Sequence, residues 1–211
     1  MSGESNLKLG YAVAHDLAVK RFGEANLQMV ARLSRSTLHD DGHALSIAYL
    51  GKTFIVHWPS AEVECPETGA EIPITTKILI LNYLLSSNGQ QLSNRLISFR
   101  DIPGAATYEP SFNKRALSPM VKTFDGKPDA LLQVADKLGG STTDVAETGV
   151  IIPILPLLPI TYGIWHGDEE FPGSGVILFD FSARKLLSAE FLVVAAANGV
   201  YEMIKLAKSI G

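Results

Sequence analysis

The chain carries a single cysteine, Cys65, in 211 residues. A lone thiol excludes an internal disulfide, a CxxC redox pair and any all-cysteine metal or iron–sulfur site built from this chain alone, and it fits a reducing compartment. Charge is not gathered into blocks either: 18 Lys and Arg stand against 22 Asp and Glu, a formal net charge of −4. The nearest basic cluster, Lys114-Arg115 after Asn113, is far shorter than the stripe that neutralises phosphates, so no nucleic-acid partner is expected. No run approaches the roughly 20 apolar residues that cross a bilayer. The start, MSGESNLKLG, lacks the basic and apolar regions of a secretory leader. These absences read as a soluble, cytoplasmic protein with no membrane partner.

Specific catalytic signatures are missing as well. Gly51-Lys52 has neither the upstream glycine nor the following helix of a nucleotide-binding loop, and reads as a turn. Gly173-Ser174-Gly175 is only a fragment of a nucleophile elbow. His43 and His57 have no HxxxH or HxH spacing, and Cys65, beside Pro66, has no basic neighbour to stabilise a thiolate.

What the chain does have is a composition 46% hydrophobic and 19% charged, enough for a substantial core in one domain spanning residues 1–211. Apolar spacing predicts helices over Leu7–Phe22, through Leu9, Val13, Ala14, Leu17 and Val19, and over Ala25–Arg35. The period then changes to two, predicting a hairpin of Ala44–Tyr49 and Thr53–Trp58. Ser60–Ile72 reads as a loop or edge strand, Thr75–Leu85 as a helix buried on several sides, and Leu96–Phe99 as a strand entering a Pro103-Gly104 turn. Helices over Pro110–Phe124 and Pro128–Leu138, strands over Ile160–Trp165 and Gly175–Phe179, and a long helix over Ser188–Lys208 complete the order. It suggests an α+β fold with a largely antiparallel sheet and packed helices; a doubly wound parallel sheet is the alternative.

Two polar motifs stand out at predicted strand ends. The connector His166-Gly167-Asp168-Glu169-Glu170-Phe171-Pro172, after Trp165, offers one imidazole and three carboxylates. As ligands, His166, Asp168 and Glu170 would suit a divalent cation, with Glu169 or Asp101 as general base; the plainer reading is a solvated acidic loop. In an extended connector Asp168 and Glu170 would share one side. Arg100, beside Asp101, could clamp an anion, or could pair with Asp168, Glu170 or Asp180 as a structural bridge. Trp58, Phe99, Tyr108, Phe112, Tyr162 and Trp165 are either a cavity lining or ordinary core.

Several separated segments together resemble the family called DUF3786: the hairpin, Leu81-Asn82-Tyr83-Leu84-Leu85, Ile97 to Gly104, Phe112, Leu138-Gly139-Gly140, Pro156-Leu157-Leu158-Pro159, Asp168 to Pro172, and Leu178-Phe179-Asp180. The resemblance implies an origin among anaerobic bacteria and methanogenic archaea and a setting in anaerobic redox or corrinoid metabolism, since some relatives carry a cysteine-rich iron–sulfur domain. With one cysteine, this chain would reach such chemistry only through a partner. The expectation is therefore a binding or accessory protein whose site, formed by Arg100, Asp101, Trp165, His166, Asp168 and Glu170, takes a small anionic ligand, a cofactor or a partner protein. The alternatives are a metal-dependent enzyme and a structural or oligomeric module; no cofactor and no oligomeric state is specified.

Overall fold

Two adjoining runs, Ala44–Tyr49 and Lys52–His57, alternate along their length: Leu45, Ile47, Tyr49, Phe54 and Val56 are buried, while Ala48 and Thr53 point outward. A period of two cannot bury one side of a helix, so both runs are strands. The structure, a computed structural model, describes the backbone of residues 2–210 and the side chains of residues 10–210. The chain divides into two compact units, Met1–Gln90 and Gln91–Gly211.

The first unit runs α1 (Ser2–Gly23), α2 (Leu27–Ser34), β1 (Thr37–Leu38), β2 (Ala44–Tyr49), β3 (Lys52–His57), β4 (Val63–Glu64) and α3 (Ile74–Ser86). Its sheet has the order β1-β2-β3-β4, all antiparallel. Tyr49 pairs with Lys52, so the hairpin turns at Leu50-Gly51, both at positive φ, as a primed two-residue turn requires. Lys52 lies inside β3, one residue beyond the expected turn. Asn26 caps α2 by accepting the Met29 amide, and α3 buries Ile78 to Leu81 almost completely, as its all-round apolar sequence predicts. In α1 the inward stripe differs from the expected one. Ala18 and Phe22 are buried one turn apart, while Val13 and Leu17, about 100–180° round the helix from them, are 62% and 58% exposed; the side chain of Leu9 lies outside the described residues.

The second unit runs β5 (Leu96–Ser98), a 3-10 turn (Phe99–Asp101), α4 (Ala105–Phe112), a wide π turn (Asn113–Leu117), α5 (Ser118–Phe124), α6 (Pro128–Lys137), β6 (Ser141–Thr143), β7 (Thr148–Leu155), β8 (Leu158–Trp165), β9 (Ser174–Asp180), α7 (Ala183–Leu186) and α8 (Ala189–Ile210). The five strands have the order β5-β9-β8-β7-β6. Every pair in both sheets is antiparallel, which bears out the α+β expectation and removes the doubly wound alternative.

The strand β7 was not expected. Its apolar run is interrupted by Pro153, which cannot donate to a ladder, but Pro153 is exposed and sits where the β7–β8 register shifts, a position at which a strand tolerates proline. The π turn also has a local cause. Pro119 has no N–H for the Arg115 carbonyl, and its ring would crowd that oxygen in a regular helix. The backbone widens, and the Ser118 amide bonds instead to Asn113.

Helix α8 continues through Gly199 because the sheet needs it small there. A Cβ at Gly199 would overlap the hydroxyl of Tyr162 on β8, which is fully buried and donates to the Ala196 carbonyl at 3.2 Å. Phe99 and Phe112 stack at 4.3 Å with Phe179 tilted 6.2 Å from each, so these rings are core and not a cavity lining. Such pairs contribute about 0.5–1.5 kcal/mol beyond their buried area.

Candidate functional site

The connector between β8 and β9 begins where the ladder ends, at Trp165 opposite Ser174. It is not extended. Asp168 turns back on its own loop: one carboxylate oxygen, Oδ1, accepts the amides of Glu170 and Phe171, both at 2.8 Å, and its amide donates to the Phe171 carbonyl at 2.9 Å. The Phe171 and Glu170 amides hold this carboxyl below the usual aspartate range. The expected sharing of one side by Asp168 and Glu170 is therefore replaced by an Asx turn, with Asp168 committed to backbone.

Residues remote in sequence pin the other end. The Gly126 amide donates to His166 Nδ1 at 2.9 Å, and His166 Nε2 lies 2.8 Å from Thr148 Oγ1. An amide can only donate, so Nδ1 is bare, the proton sits on Nε2, and Nε2–H donates to the Thr148 hydroxyl. A histidine in that tautomer cannot take a proton from Thr148, so the arrangement positions the loop and does not activate a nucleophile. The His166 amide donates to Glu147 at 3.0 Å and the Gly167 amide to Asp125 at 2.9 Å. Gly173 must lack a side chain, because a Cβ there would strike the Asp125 carboxylate.

What the loop leaves outside is specific. Glu169 and Glu170 are exposed, Phe171 is 67% exposed and Trp165 is 45% exposed. Beside it lies an open cleft of about 620 Å³ reached by Ser118, Lys122, Asp125 and Ser174.

Arg100 does not join this group. Its Nε pairs with Glu109 on α4, and it reaches none of Asp168, Glu170 or Asp180 among the described residues. Asp101 accepts the Ser98 hydroxyl and amide at 2.8 and 2.9 Å, and those bonds, the hydroxyl's first, lower its carboxyl. Asp180 is buried under a different task. It takes the amides of Ser93, Asn94 and Ser182 and the Ser93 hydroxyl, at 2.7 to 3.0 Å. Burial, the largest single influence, would raise this carboxyl, but the bonds from Ser182 and Ser93 together outweigh it and hold it low.

The cation trio is likewise not assembled. Among the described residues no group of three or more His, Cys, Asp or Glu side chains is placed to hold a metal ion, and His166 spends both ring nitrogens on the protein. Cys65 is buried, and His43 stacks on Trp58 at 6.2 Å, while His57 meets Glu64 at 3.1 Å. The sequence reading missed Asp125, Gly126, Glu147 and Thr148, whose role depends on contacts 18 to 42 residues away. It also missed the contact of His39 Nε2 with Ser46 Oγ at 2.7 Å across the first sheet.

No described helix is long and apolar enough to cross a membrane. No curated protein and no solved structure matches the chain. The family described as a domain of unknown function, DUF3786, matches residues 26–202, which takes in both sheets and the whole connector, and the chain belongs to that family.

Proposed function

We propose that the chain is a binding or accessory protein that docks a partner protein through the β8–β9 connector. The observation that carries this reading is a preformed tip. Trp165 and Phe171 stand largely exposed beside Glu169 and Glu170, on a loop whose backbone is fixed by Asp125, Gly126, Glu147, His166 and Asp168. A tip already ordered loses little entropy on binding, and exposed aromatic anchors are the residue type on which interface energy concentrates. Two flanking carboxylates select a partner cleft that is apolar in its centre and basic at its rim.

The small-anion reading at Arg100 and Asp101 has less behind it, because both side chains already have protein partners. In the anaerobic redox or corrinoid setting that the family resemblance implies, and the reducing, cytoplasmic compartment that the lone cysteine fits, the partner would carry the cluster or cofactor that a chain with one cysteine does not build.

The test compares immobilised wild type with a Glu170→Lys/Phe171→Ser variant in extract of the source organism, with circular dichroism to check that both are folded. A protein retained by the wild type, lost with the variant and competed away by a cyclised peptide of residues 165–174 is the expected result. Equal retention by wild type and variant sinks the docking reading.

A further inference from the structure

We propose that the cleft between α5, α6 and α8 binds an amphiphilic carboxylate, an apolar chain bearing one anionic head. This site does not depend on the docking reading, although Lys122 borders both it and the cleft beside the connector. The cleft measures about 660 Å³, within the range of small-molecule sites. Its apolar lining includes Phe124, Ala130, Ile204 and Ala207, and Lys122, Lys127 and Lys208 stand around it. Among the described residues no carboxylate lines it.

Helical spacing builds this arrangement. Ile204, Ala207 and Lys208 lie at i, i+3 and i+4 on α8, hence on one face, and Ala130 supplies a small side chain from α6. Alanines at Ala130 and Ala207 leave open the depth that larger side chains would fill.

The electrostatics decide the ligand class. The chain has a net charge of −4, yet three ammonium groups gather here, and among the described residues none of them is in an ion pair. All three lysines are exposed, and an anion seated among them is attracted by all three, with the attraction screened by solvent and salt. An inorganic anion would leave the apolar lining unused. A neutral apolar molecule would leave the lysines unused. Only a ligand with both parts uses both, with the lysine stems packed along the tail and their heads on the carboxylate.

Titration calorimetry with laurate tests this, against dodecyltrimethylammonium, inorganic phosphate and phosphatidylglycerol vesicles. Saturable binding of one laurate per chain is expected, weakened at least tenfold by Lys127→Gln/Lys208→Gln and by Ala207→Trp, which fills the cleft, and reduced by salt. Thermal melts confirm that each variant is folded. The proposal fails if the cationic amphiphile binds as well as laurate, if laurate does not bind, or if the lysine variant binds it unchanged. Phosphate binding as tightly as laurate would leave a simple anion site, and vesicle binding without laurate binding would leave a membrane-surface patch; either overturns the proposal.

Discussion

The Gly126 amide donates to His166 Nδ1 across 40 residues of chain, and that bond makes the histidine a pin between the α5–α6 turn and the end of β8. With Nδ1 accepting from that amide, the neutral ring carries its proton on Nε2, and through Nε2 it holds Thr148 at the start of β7.

Replacing His166 with Ala leaves the Gly126 amide and the Thr148 hydroxyl without partners. It should cost about 1–3 kcal/mol in urea unfolding. Hydrogen exchange should also quicken at Gly167, Glu170 and Phe171 while β8 stays protected. Unchanged exchange at those amides would mean that the Asp168 turn orders the connector by itself.

Asp180 anchors the Ser93-Asn94 turn and the start of α7 with four accepted bonds. Asp180→Asn puts an NH2 group against amide donors and should destabilise by about 2–3 kcal/mol at neutral pH, the scale of a hydrogen bond to a charged group. The sign of the acid dependence follows from the lowered carboxyl. Its contribution is complete above the unfolded aspartate's titration near pH 4 and is lost as pH falls through the depressed folded value. The gap between wild type and variant should therefore narrow below about pH 4; a gap that widens there contradicts the assignment.

The Arg100–Glu109 pair is surface chemistry, with the arginine side chain 78% exposed. Arg100→Gln should change stability by less than about 0.5 kcal/mol and leave connector amide shifts in place. Movement of the Asp168 to Phe171 resonances would show that Arg100 reaches the connector after all.

Gly199→Ala forces a methyl group into the Tyr162 hydroxyl and should cost about 1–3 kcal/mol, the usual scale of overpacking. Tyr162→Phe removes the obstructing oxygen, so the double variant should recover part of the loss. A double-mutant cycle with no coupling would place the strain elsewhere.

The parts of this fold that could be read from sequence are those written in neighbouring residues. Leu45, Ile47 and Tyr49 alternate within one strand, and the connector is bounded by glycine and proline, so the hairpin and the loop limits were legible. Strand β7 was not, because Pro153 looks like a breaker until its exposed place at a register shift is known. The same holds at the site. Trp165, His166, Asp168 and Glu170 were singled out together and do share one loop, but Asp168 faces its own backbone, and Arg100 lies with Glu109, nine residues on. Lys122, Lys127 and Lys208 are scattered across α5, a turn and α8, and no local spacing announces that they surround one cleft.

The π turn at Asn113–Leu117 fits one more residue into the coil than a regular helix holds. One residue corresponds to about 100° of rotation in an α-helix, so a regular helix of the same sequence would present a different set of residues inward beyond this point. In the phase the turn sets, Met120 and Phe124 face the core and Lys122 borders its cleft. Straightening the turn into regular α-helix without removing a residue would swing the three residues round together, and Pro119 opposes that by offering the Arg115 carbonyl no N–H. The widened turn thus acts as an indexing step that sets which of the following residues face inward.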